Sequence, residues 1–143
     1  PLVAKLYATG GAGNLLCLMV VAPFVFSALG GHGVLLLGLS SMATNYFLWF
    51  TATEVWVAWT AQVLGCCALL APAALTALLS ARVHASQTAE AFGALYGLNA
   101  LGSVAGLIAG AFAMKSLGRL GYLFFFLCIV LAIVVALRDR FVA

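Results

Sequence analysis

Five side chains carry hydrogen-bonding chemistry inside otherwise apolar runs: Asn14, Gln62, Tyr96, Asn99 and Ser103. An unpaired amide in hydrocarbon costs on the order of 4 kcal/mol or more, so Asn14 and Gln62 are expected to face protein or a water-filled cavity. Tyr96, Asn99 and Ser103 fall on one side of the stretch 89–115, AEAFGALYGLNALGSVAGLIAGAFAMK, when residues are placed at about 100° per position. Groups of this kind, held away from water, can grip a polar solute. They are the substrate-pathway candidates, with Asn99 expected to face a cavity.

Acid–base chemistry has few carriers. No Asp, Glu, Lys or Arg stands in the middle of an apolar run, whereas intramembrane ionisable groups usually mark proton coupling. Glu54 follows a threonine that is a candidate N-cap and sits in a first helical turn, where the helix dipole favours a carboxylate. Glu90 marks the start of the 89–115 stretch. His32 is the one ionisable group of the compact turn Gly30-Gly31-His32-Gly33 and reads as a solvated loop histidine. Cys17, Cys66, Cys67 and Cys128 lie in apolar runs as small hydrophobes, and neighbouring Cys66 and Cys67 project to different helix faces, so no metal site is expected. Nothing resembles a nucleophile–base pair or a metal cluster. Gly93, Gly97 and Gly102 occur with no preceding strand, which excludes a nucleotide fingerprint. The chain is expected to be no enzyme and to use no cofactor.

The elements that position these groups follow from composition. Of 143 residues 66% are hydrophobic and 6% charged, against about 25% charged in a soluble domain, and mean hydropathy is +1.24. This composition indicates an all-α, multi-pass integral membrane protein. Its net charge of +3 sits at segment ends, as interface markers rather than a nucleic-acid patch. The apolar runs predict five transmembrane helices, over 2–29, 34–52, 55–80, 89–114 and 120–137, in one partial transmembrane domain covering 1–143.

Within them, Pro23 is expected to kink the first helix and Pro72 to hinge the third. Gly102, Gly106 and Gly110 drift along one face of the fourth helix, and Gly93 and Gly97 form a strip nearly opposite; both are helix-packing surfaces in the small-xxx-small manner. Tyr46, Trp49 and Phe50 before the 51–54 turn, and Trp56 and Trp59 after it, make an aromatic belt. Residues 81–89 form the longest polar loop, and the fifth helix, apolar all round, is expected to meet lipid. Arg82, Arg138 and Arg140 lie on one side, and Lys5, Lys115 and Arg119 on the other, so charge bias leaves the orientation open. There is no cleavable signal peptide, and a start at Pro1 without an initiating Met leads to the expectation of a fragment.

Pro72 in a helix ending LLSARV, the short polar loop, and QTAEAFGALYGLNALGSVAGLIAGAFA together resemble the tenth and eleventh transmembrane segments of the major facilitator superfamily. Within it the chain looks most like the solute carriers related to the proton-coupled folate transporter. The resemblance is specific over about residues 70 to 115. It implies that the five helices are segments eight to twelve of the C-terminal helix bundle, that segments eight, ten and eleven line the cavity, and that nine and twelve are peripheral. Asn14, Gln62 and Asn99 then fall on lining helices. Ser40, Ser41, Thr44 and Asn45 make the peripheral ninth more polar than expected, Ala109-Gly110 replaces a frequent Gly-Pro, and no loop motif is visible in GGHG. The implied function is secondary active transport of a small-molecule solute by alternating access, as a symporter with protons as coupling partner. The lipid bilayer and a missing N-terminal transporter half would be its further partners, without nucleic acid. The alternative is a non-transporting membrane assembly subunit or truncated fragment, since five helices lack the half that closes a pathway.

Overall fold

The computed structural model describes the backbone of residues 2–142 and the side chains of residues 4–5 and 8–138; Arg140 of the charge pattern lies outside the described side chains. The described residues contain helices and no strand: α1 (Leu2–Leu16), a π-helical stretch (Cys17–Val21), α2 (Ala22–Thr51), α3 (Val55–Leu64), a 3-10 stretch (Gly65–Leu69), α4 (Leu70–Arg82), a 3-10 turn (Ala85–Gln87), α5 (Thr88–Leu117) and α6 (Leu120–Val142). Four helical runs among them are long and apolar enough to cross a membrane, namely Ala8–Thr51, Val55–Arg82, Ala85–Leu117 and Leu120–Arg138.

The first of these runs has 44 residues. Straight, it would measure about 66 Å, more than twice a hydrocarbon core of about 30 Å. It is not straight. Gly30 has φ 65° and ψ 176°, a combination open to glycine and almost closed to residues with a Cβ. The packing partners register a reversal there. Between residues 10 and 17 the chain meets positions rising from 62 to 67: Gly10 lies on Gln62, Gly13 on Cys66, and Cys17 on Cys67. Between residues 31 and 45 it meets positions falling from 78 to 61: Gly31 on Leu78, Gly38 on Ala71, Ser41 on Leu64, and Asn45 on Ala61. Residues 8–29 therefore run parallel to the Val55–Arg82 run, and residues 31–51 run antiparallel to it. The turn expected over Gly30 to Gly33 is narrower than its composition indicates, because Gly31, His32 and Gly33 are already helical.

Residues 31–51 form the middle of the packing, between Val55–Arg82 on one side and α6 on the other. Their core is built from small groups: Val34 and Leu70 are the largest side chains fully closed off, joined by Ala71, Ala74, Ala43, Ala58 and Ala61. Lipid tails are as apolar as leucine, so close backbone approach and interhelical hydrogen bonds must supply the attraction. Gly38 provides the approach, since a Cβ there would stand 2.5 Å from the Ala71 amide nitrogen. The polar residues that made this helix look out of place provide the bonds. Ser41 Oγ donates to the Leu64 carbonyl, and Asn45 Nδ2 donates to the Ala61 carbonyl at 2.7 Å. Replacing Asn45 with Leu is expected to cost about 1 kcal/mol, the scale of hydrogen bonds between membrane helices. Denaturant titration of the purified chain in mixed micelles measures it.

On the far side, α6 lies antiparallel to residues 31–51 through ring contacts: Trp49 stacks on Tyr122 at 6.1 Å and Tyr46 on Phe125 at 5.5 Å. These aromatics thus join two helices at the level where a belt was expected. The outward face of α6 carries exposed Leu127, Leu131 and Val134.

Several boundaries shift from the sequence expectation. The third helix continues to Arg82 and the fourth runs Thr88–Leu117, so the 81–89 loop shrinks to a few residues around His84. Glu54, not a threonine, is the N-cap residue of α3, with extended backbone and no side-chain cap bond. Its carboxylate instead accepts a 2.9 Å hydrogen bond from the Trp56 indole. Both prolines follow a change of helical pitch. A proline ring clashes with the carbonyl four residues earlier and leaves it without its donor. For Pro23 that residue is Met19, within the π stretch; for Pro72 it is Ala68, within the 3-10 stretch. Each helix absorbs its proline by winding wider or tighter over one turn.

Candidate functional site in the seam between the first and second helical runs

The two pitch changes touch each other: the π stretch Cys17–Val21 packs directly on the 3-10 stretch Gly65–Leu69. Where they meet, Cys17 is buried, and its Sγ stands 3.5 Å from Cys67 Sγ. Cys66 Sγ in turn donates back to the Gln62 carbonyl at 3.3 Å. Among the described residues no three His, Cys, Asp or Glu side chains gather as a metal site.

One turn nearer the N-terminus, α1 lies flat on α3. Gly10 lets the Gln62 amide sit against its backbone, and Gly13 does the same for Cys66. Asn14 follows Gly10 by four residues and so occupies the same face one turn along. Its Oδ1 is closed off from solvent and has no hydrogen-bond partner among the described residues. A buried amide oxygen left unpaired is costly, on the order of 1–3 kcal/mol, and a native protein carries few of them. Asn14 and Gln62 thus lie about one turn apart along one apolar seam bounded by irregular backbone.

Tyr96, Asn99 and Ser103 are placed elsewhere. All three are exposed along α5, where Tyr96 stacks on Phe92 at 6.4 Å and Ser103 Oγ donates to the Asn99 carbonyl at 2.8 Å. Among the described residues α5 packs on α4 and α6. Asn99 is exposed among the described residues, and the five pathway candidates divide into a packed pair and an uncovered trio. The glycine strips behave alike. Gly110 meets the Phe125 ring, whereas Gly93, Gly97, Gly102 and Gly106 have open space where a Cβ would stand. Pro72 is exposed, and its carbonyl accepts from Thr76 Oγ1 at 2.9 Å.

Sequence reasoning did not find the Ser41 and Asn45 bonds to α3, although the signal was present. The two residues are four apart and therefore share a face, and each is polar inside an apolar run. The joint pitch change was half visible in Pro23 and Pro72. Its location in one seam depends on a register that no local pattern encodes.

No protein-family model, curated protein or solved structure matches the chain.

Proposed function

We propose that the chain is a multi-pass membrane protein that crosses the bilayer five times, the first run making two passes hinged at Gly30, and that it forms part of a secondary active transporter for a small solute. One observation carries the transport reading: two interrupted helices meet beside a buried, unpartnered amide oxygen. Solute sites of secondary transporters sit where discontinuous helices expose backbone and polar groups near the midplane, and π-type interruptions recur at functional sites. Asn14 Oδ1 and the Gln62 amide supply an acceptor and a donor there. The resemblance to major facilitator segments eight to twelve supports the same reading and suggests a proton-coupled organic anion as solute.

Proteoliposomes containing the chain together with the polypeptide that supplies the other half of the pathway, loaded with a pH-reporting dye, test this, with folates and small carboxylates as probes. Transport predicts internal acidification on solute addition, lost in Asn14→Leu and Gln62→Leu at unchanged protein content. No solute-dependent signal above empty liposomes would overturn the reading for this chain. Asn99→Leu belongs in the same assay: lost uptake would place α5 on the pathway, and retained uptake would leave the seam alone as its lining.

A second reading has its own support. The uncovered length of α5, with four glycines open along it, fits a helix that packs against another polypeptide in a non-transporting assembly. A stable complex with a second protein and no flux would favour that reading.

A further inference from the structure

A second feature lies at the opposite end of the same helices. Beside the Gly30 reversal, the end of α4 and the end of α6 enclose a half-open cleft of about 230 Å³. Its walls include Leu75, Leu78, Leu95 and Ala136, and among the described residues its polar lining side chains are His32 and Arg82. Four separate helical segments contribute, so the cleft is a product of the fold and not of one helix surface. Gly31 admits Leu78 into its wall, since a Cβ at that position would stand 2.9 Å from Leu78 Cδ2.

Among the described side chains that line the cleft the charge is one-sided; Asp139, next to Arg138 in sequence, lies outside them. Arg82 occupies the last turn of α4, is exposed, and makes no ion pair among the described residues. Arg138 follows two residues after Ala136 at the same end. The nearest acid in sequence on α5, Glu90, lines a different groove, with Val83, Gln87, Ala91 and Ala94. The cleft therefore combines apolar walls with a cationic rim at the level where helices begin and end, which for membrane helices is the headgroup layer.

We propose that this cleft binds an anionic phospholipid, its headgroup phosphate held at the rim by Arg82 and His32 and the first carbons of an acyl chain lying against Leu75, Leu78 and Leu95. Arginine suits the role, with a planar fork of donors matched to phosphate oxygens and a stem that lies along apolar surface while the head stays at the interface. The leucine walls select an amphiphile over a free anion, which would use the rim alone. The inference depends on membrane embedding and not on transport, so failure of the uptake assay would leave it standing.

The test uses the purified 143-residue chain in phosphatidylcholine nanodiscs doped with phosphatidylglycerol, followed by native mass spectrometry of the lipids that stay bound on release. The wild-type chain is expected to retain phosphatidylglycerol above its share of the mixture. Arg82→Gln should lower that enrichment about fivefold, the scale of one basic residue near an anionic surface, and Leu78→Trp should abolish it by filling the cleft with Arg82 and His32 left in place. Arg119→Gln, at the other end of the helices, should change nothing. Equal losses in Arg82→Gln and Arg119→Gln would reduce the effect to general charge attraction and overturn the proposal. So would displacement of the lipid by inorganic phosphate, which would mark a free-anion site. Should circular dichroism show that Leu78→Trp fails to fold, the exposed Arg82 and Arg119 pair decides alone.

Discussion

Replacing Gly38 with leucine is expected to be the most disruptive single substitution in the chain. A Cβ at Gly38 would stand 2.5 Å from the Ala71 amide nitrogen and 2.9 Å from its Cα. Those atoms are backbone and cannot rotate away as a side-chain tip would. Residues 31–51 and α4 would have to separate along the line that also holds Val34, Leu70 and Ala74 in the core. Overpacking of this kind costs typically about 3 kcal/mol, occasionally more. Gly38→Ala should fall between wild type and leucine. The control is Gly106→Leu, where a Cβ would meet nothing within 4 Å and stability of the isolated chain should hold. Equal loss of stability in Gly38→Leu and Gly106→Leu, read by denaturant titration in micelles, would show that the 31–51 and α4 seam is not the one that holds the chain together. A Gly106→Leu penalty that appears only when a partner is present would locate that partner on α5.

The second large effect is expected at Gly30. Its φ of 65° with ψ of 176° lies outside the left-handed helical well that asparagine tolerates, so neither Ala nor Asn substitutes well. Either should cost on the order of 1–3 kcal/mol, and Val at least as much. The consequence is topological as well as energetic. If Gly30 lets the chain reverse, single cysteines placed at Ser27 and Gly33 label from the same side as one at Arg82, and one at Thr53 labels from the opposite side. In Gly30→Val the first run should straighten or slip, and the labelling pattern should become mixed. Labelling of Gly33 and Thr53 cysteines from one side in the wild-type background would rule out the five-pass arrangement.

Much of the architecture was legible in the residues. The apolar run lengths and the end-placed charges gave the helices to within a few residues, and the aromatic clusters marked their ends, because these depend on local composition. What was not legible is which faces meet. The small-residue pattern of 89–115 reports a capacity for close approach. It does not report whether a neighbour is present, and among the described residues a Cβ at Gly93, Gly97, Gly102 or Gly106 would meet none. The helix at the centre of the packing is residues 31–51, whose buried face is assembled from Gly38, Ser41 and Ala43 and whose polarity looked like a conflict. Asn45 resolves it: its amide caps a carbonyl of another helix, a contact set by tertiary register. Helical periodicity likewise grouped Tyr96, Asn99 and Ser103 on one face but carried no information on the direction in which that face turns.

The π stretch at Cys17–Val21 also sets the aim of the residues before it. A π turn holds one more residue than an α turn, so it shifts the phase of everything upstream by about 100° relative to everything downstream. Ala22 lies downstream and is anchored in the core; Asn14 lies upstream. Rewinding the same residues as an unbroken α-helix would swing Asn14 out of the seam by about 100°, while the downstream anchor kept its place; deleting one residue from Cys17–Val21 would remove the wide turn and leave Asn14 in the seam. A switch of this turn between π and α winding would therefore act as a rotary adjustment, changing which face of α1 meets Gln62 without altering any residue that touches it.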